Sequence, residues 1–242
     1  MKKALIILAV LAFIASLVAN VLLADAAKTF YRREAAFRLH PSGMPSFEQS
    51  GAFNLPRVLL LGDSRMAHWT TFMPAKYCAI NGGVGNETTA QILLRAKDAI
   101  KKSNPAVVVI QAGINDLKVI PVLPAKEKEI TDDCAVHLME LAKTARDSGA
   151  AVVVLGVLPA GKVDWTRWLV WSDAVNNSVK TVNNTVAAAC QGAPRTAFLD
   201  LSGEASVGRD YVDTLHFNTA FYQRITPMVG AKIDVLLANQ RP

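Results

Sequence analysis

Apolar and polar positions fall into two regimes along this chain. From Ala4 to Ala24 the sequence is apolar, interrupted only by Ser16 and Asn20. Twenty-one residues at about 1.5 Å each span a bilayer core of about 30 Å, which predicts a membrane-crossing helix. The helical pattern continues to about Leu39. His40-Pro41-Ser42-Gly43 then breaks it, and a Pro/Ser/Gly/Asn-bearing linker runs to Pro56. Beyond the linker, short apolar runs alternate with helical periodicity. The runs are Val58–Leu61, Cys78–Ile80, Ala106–Ile110, Ala151–Val157 and Thr196–Leu199, and continuous runs of this kind read as buried parallel strands. Between them Ile92, Ala96, Ala99 and Ile100 recur on one helical face, as do Cys134, Leu138, Leu141 and Ala145, and then Val175, Val179, Val182 and Val186. The last periodic stretch, Phe221 to Leu237, carries Pro227, which predicts a kink or two short helices. Strands alternating with amphipathic helices predict βαβ units, a five-stranded parallel sheet and helices on both of its faces. The expected fold class is a three-layer α/β/α domain preceded by a transmembrane helix.

The flanks of the first apolar segment bear on its fate. Lys2 and Lys3 precede it, and Ala24-Asp25-Ala26 resembles a small-x-small cleavage site, so a cleaved signal peptide competes with an uncleaved anchor. Secretory apolar regions usually run about 7–15 residues; this one is longer, which favours the anchor. Lys28, Arg32, Arg33 and Arg38 on the far side oppose the orientation set by Lys2 and Lys3. Export is still favoured, because the segment begins the chain and looks like a signal sequence.

Composition narrows the classes of partner. The net charge is +6, but Lys and Arg are scattered, whereas nucleic-acid binding calls for a clustered patch. No nucleic-acid partner is expected. Cys78, Cys134 and Cys190 show no metal-ligand spacing, and an odd count argues against a disulfide framework, so all three read as buried small hydrophobes. No metal and no organic cofactor are called for. There is no internal repeat.

Four segments at the ends of the apolar runs carry chemistry. Gly62-Asp63-Ser64 follows the first run, and Asn81-Gly82-Gly83-Val84-Gly85-Asn86-Glu87-Thr88 the second. Gly113-Ile114-Asn115-Asp116 follows the third, and Asp213-Thr214-Leu215-His216 precedes the last helix. In this order and spacing they resemble the SGNH (GDSL) hydrolase family over about Arg57 to Leu237. The resemblance implies a flavodoxin-like three-layer fold, esterase, lipase, thioesterase or carbohydrate-deacetylase activity, and one shared site. It divides the chain into residues 1–27 (anchor or signal sequence), 28–56 (juxtamembrane helix and linker) and 57–242 (hydrolase-like catalytic domain). Carried over position by position, it makes Ser64 the nucleophile, His216 the base, Asp213 the partner of the histidine, and Ser64, Asn86 and Asn115 the oxyanion hole. Two positions depart from the family pattern. Arg65 stands where a leucine often follows the nucleophile, and Asn86 stands where the second block has glycine. Asn86 keeps the backbone N–H and tolerates left-handed angles better than other non-glycine residues; Gly85 is the alternative donor.

The residue types suit acyl transfer on elementary grounds. A serine hydroxyl needs a neighbouring base, imidazole titrates near working pH, and a carboxylate three residues earlier fixes its tautomer. Trp165, Trp168 and Trp171 follow the fourth run at three-residue spacing. Trp165 and Trp168, with Arg65, are the candidate substrate-binding residues; tryptophans floor sugar sites, line acyl pockets or sit at membrane interfaces. Ile120-Pro121-Val122-Leu123-Pro124 is a candidate second wall. His40, His68 and His137 have no motif around them and read as structural. The expected function is a membrane-tethered, extracytoplasmic (periplasmic-side) serine esterase. Its substrate would be an O-acyl, chiefly O-acetyl, ester of an envelope or exported polysaccharide, or a lipid acyl ester. The alternatives are a polysaccharide O-acyltransferase using the same serine and a non-catalytic glycan-binding protein on the same fold.

Overall fold

The computed structural model describes residues 2–39, 47–52, 54–72 and 76–239, which fall into two units, 1–43 and 44–242. The first unit contains helix α1 (Lys2–Leu39), unbroken through Ala24-Asp25-Ala26. Within Lys2–Arg32 a stretch of 18 residues reaches a mean hydropathy of 2.8 and none of it is buried, so the helix is long and apolar enough to cross a membrane or to act as a signal sequence.

The second unit is an α/β fold. Its strands are β1 (Glu48–Ser50), β2 (Arg57–Gly62), β3 (Cys78–Gly83), β4 (Val107–Gln111), β5 (Ala151–Leu155) and β6 (Thr196–Leu199), in the spatial order β1-β3-β2-β4-β5-β6. Strands β2 to β6 are the five parallel strands expected from the apolar runs. The linker adds a sixth: β1 pairs antiparallel with β3, Gln49 opposite Ile80. Glu48-Gln49-Ser50 is three polar residues with no alternation, so nothing in the pattern marked it; an edge strand needs only a neighbour with free backbone groups.

Alternate strand residues feed two cores. Leu59, Leu61, Val108, Ile110, Val152 and Val154 pack against α3 (Thr89–Ser103), α5 (Glu127–Asp147) and α6 (Ala174–Cys190). Val58, Leu60, Val107, Val109 and Val153 pack on the opposite face, against α2 (Ser64–Ala67) and α7 (Thr219–Ala238). The short α4 (Ile114–Leu117) follows β4. Helix α3 opens with a capping box in which Thr88 N–H donates to Gln91 Oε1 at 2.9 Å and Gln91 N–H to Thr88 Oγ1 at 3.4 Å. Of the two outcomes expected from Pro227, two short helices do not occur: α7 is one helix. The proline leaves the Gln223 carbonyl without its helical donor, but Gln223 and Pro227 both lie on the exposed face, while Ile225 and Val229 are fully buried on the other. Cys78, Cys134 and Cys190 are all buried, as expected.

This topology places the site. Strands β3 and β4 flank β2 on opposite sides, so the sheet changes its direction of growth at β2, where open α/β sheets form a crevice beyond the carboxyl ends. Ser64 is two residues past the end of β2.

Candidate active site

The chain turns from β2 into α2 in very little space. A Cβ on Gly62 would stand 2.0 Å from the Gln111 carbonyl oxygen, and one on Gly83 would stand 2.2 Å from the Ala67 nitrogen. Both glycines are required by close approach of backbone to backbone. Asp63 caps α2, its Oδ1 accepting from Arg65 N–H at 2.9 Å. Burial pushes the Asp63 carboxyl up to about 6 despite the opposing Arg65 charge and that hydrogen bond, with Asp116 adding to the rise.

Ser64 is thereby held at the head of a one-turn helix, half-buried. Its Oγ lies 3.0 Å from His216 Nε2, across 152 positions of sequence. His216 Nδ1 is 2.7 Å from Asp213 Oδ2. Asp213 Oδ1 accepts from the backbone N–H of Leu215 at 2.7 Å and of His216 at 2.8 Å. Burial works against the Asp213 charge, but the His216 side chain and these two N–H groups outweigh it and hold the carboxyl at about 2. It is therefore ionised at neutral pH and accepts from Nδ1–H, which leaves Nε2 as the acceptor for the serine hydroxyl.

The second and third blocks form the adjoining wall. Asn86 takes the left-handed conformation, φ 65°, that glycine adopts most readily. A Cβ built on Gly85 would lie 4.0 Å from Ser64 Cβ, which puts this loop against the serine. Among the described residues, no hydrogen bond uses the N–H of Ser64 or Asn86. Asn115 is buried; its Nδ2 donates to the Glu87 carbonyl at 2.9 Å, and its Oδ1 accepts from Lys118 Nζ at 2.6 Å. Asp116 ties the same two blocks together, accepting from Thr89 N–H at 3.0 Å and from Thr89 Oγ1 at 2.6 Å. Glu87 itself is clamped by Arg95, which also donates to the Gly62 carbonyl at 3.2 Å.

Other sequence expectations change. Arg65, a candidate substrate-binding residue, is 1% exposed and faces the interior. Its Nε donates to the Leu215 carbonyl at 2.8 Å, NH2 to Pro159 at 3.0 Å, and NH1 to Leu158. Its guanidinium also sits 4.9 Å from the centre of the Phe217 ring. With its polar atoms engaged on backbone, it joins the loop after β5 to the loop that carries His216. Trp165 and Trp168 lie on a 3-10 helix, Trp165–Val170, and are 82% and 68% exposed, whereas Trp171 packs on the core. Trp165 shares a depression of about 590 Å³ with Asp213 and Thr214. In the Ile120–Pro124 segment, Ile120 is buried and Val122 and Leu123 are exposed. His68, read as structural, has its ring 5.0 Å from that of His216. Burial, then the His216 ring, push its pKa below the ordinary histidine value against the pull of Asp213. The signal for it was present: residues four apart on a helix share a face, and His68 N–H bonds the Ser64 carbonyl at 2.9 Å. Among the described residues no cluster of His, Cys, Asp or Glu suits a metal ion.

Residues 60–224 match the model of the GDSL-like lipase/acylhydrolase family, most of the chain. The chain belongs to that family. This GDSL hydrolase is accordingly an ester-hydrolysing enzyme. Its fold is shared by a GDSL-like lipase from Bacteroides thetaiotaomicron, at 22% identity, TM-score 0.59, covering 74% of this chain and 87% of that one. It is shared likewise by an aryl esterase of M. smegmatis (16%, TM-score 0.59, 75% and 99%). A catalytic mutant of an acetylxylan esterase from Geobacillus stearothermophilus is also similar (15%, TM-score 0.58, 76% and 95%). Comparison of the GDSL hydrolase sequence with curated proteins gives no match.

Proposed function

We propose that this GDSL hydrolase is a membrane-tethered serine esterase working outside the cytoplasm. It would cleave O-acyl, chiefly O-acetyl, esters of an envelope or exported polysaccharide, or lipid acyl esters. The observation that carries this reading is the line Ser64 Oγ–His216 Nε2–Asp213, at 3.0 and 2.7 Å. His216 takes the Ser64 proton as Oγ attacks the ester carbonyl, and Asp213 stabilises the resulting imidazolium. The carbonyl oxygen becomes an oxyanion facing the Ser64 and Asn86 N–H groups and the second hydrogen of the Asn115 amide. His216 returns the proton to the leaving alcohol, and water then repeats the sequence on the acyl-serine. The polysaccharide preference draws on the acetylxylan esterase likeness. The tether draws on α1, with Lys2 and Lys3 favouring a cytoplasmic amino terminus.

The test is release of acetate or p-nitrophenol from small acyl esters by full-length protein. Ser64→Ala is expected to lower kcat by about 10⁴-fold or more; equal rates in wild type and variant would exclude hydrolysis at this serine.

A further inference from the structure

The segment after β5 exposes more apolar surface than a loop in water needs. Trp165, Trp168 and Leu169 are 82%, 68% and 74% exposed on a single six-residue 3-10 helix, with Val170 beside them. Val207 and Val212, 62% and 66% exposed, line the same depression as Trp165. Contiguous exposed apolar groups of this size mark contact surfaces. The same segment carries Lys162 and Arg167, neither paired with a carboxylate among the described residues. Tryptophans and leucines with flanking cations match a bilayer interface, where indoles sit at headgroup level and anionic lipids attract the cations. Trp165 lines the depression beside Asp213, as a sugar floor would, but Trp168, Leu169 and Val170 lie outside it and are exposed, as a bilayer contact requires. On the tether reading, α1 also brings a lipid surface to the chain.

We propose that the Trp165–Val170 segment docks the catalytic unit onto the anionic lipid surface in which α1 is anchored, an inference that rests on the tether reading above. Thr214 Oγ1 donates to Asp164 Oδ2 at 3.2 Å and Gly161 N–H to the Thr214 carbonyl at 2.8 Å, so the docking segment is bonded to the loop that carries Asp213 and His216. Docking therefore sets the height of the reacting serine above the lipid.

Tryptophan emission tests this directly, because α1 has no tryptophan and Trp69, in the core, is 1% exposed. Full-length chain is placed in nanodiscs of phosphatidylethanolamine and phosphatidylglycerol with ordinary or brominated acyl chains. Brominated discs are expected to quench about half of the emission, two tryptophans of the four. Trp165→Ser/Trp168→Ser should abolish the quenching without changing the melting temperature. Chain that co-elutes with the discs but emits equally in both overturns the docking and leaves the tether standing. Chain that does not co-elute overturns both. Quenching that persists in the double variant also overturns the docking, as does emission that responds to an O-acetylated oligosaccharide and not to bromine.

Discussion

Asn115 has its amide held at both ends, by the Glu87 carbonyl and by Lys118, so its remaining hydrogen points in a fixed direction. Asn115→Ala is expected to lower kcat by about 10²–10³-fold with a smaller change in KM, measured on a short ester. A second prediction concerns Asp63, whose carboxyl is pushed up to about 6 by burial. As pH rises from about 4 to 6, the folded state keeps a proton that the unfolded chain has already released, so stability falls across this window and the cost persists above it. Asp63→Asn removes that titration. Its melting temperature is expected to gain on wild type between about pH 4 and pH 7; parallel curves would show that Asp63 does not titrate there. At this scale, the bonded line Ser64–His216–Asp213 was readable from its motifs and their order, and Asn115 from its place just past β4. His68 was readable only as a neighbour of Ser64 four positions on, and Arg65 not at all: what Arg65 touches depends on the loops after β5 and before α7 folding over α2, which no local pattern encodes.

Elements carry the next level of precision. Gly83 lets α2 pass within van der Waals contact of β3; an added Cβ would stand 2.2 Å from Ala67 nitrogen and 2.7 Å from its Cα. Gly83→Ala is expected to cost about 1–3 kcal/mol in a urea melt. It should also lower kcat more than it raises KM, because the displaced helix carries Ser64 away from His216. The parallel strands and amphipathic helices were legible because burial on both sheet faces leaves unbroken apolar runs and one-sided helices. Strand β1 was not, since three polar edge residues record only their neighbour's open hydrogen bonds. The proline in α7 does not split the helix for a related reason: its penalty falls on a carbonyl that water can reach.

For the whole molecule, the decisive contrast is between an apolar amino-terminal helix and a separately compact α/β unit. Expressed from Met1, the protein is expected to stay in the membrane fraction through high salt and alkaline carbonate and to leave it only with detergent. Intact mass should show all 242 residues; a soluble product shortened after Ala26 would establish a secretory leader instead. The strand order and the convergence of four motifs at one sheet edge belong to this scale as well. The sequence held the motifs in order, but their meeting point came from the position of β2 between β3 and β4.

The placement of Arg65 limits how this enzyme can change. One buried cation holds the carbonyls of Leu158 and Pro159 on one loop and of Leu215 on the other. The stretch leading to the tryptophans and the histidine-bearing segment are therefore coupled through one side chain. Exchanging Arg65 for leucine would leave these three carbonyls without that donor, so the two loops would lose the charge that joins them.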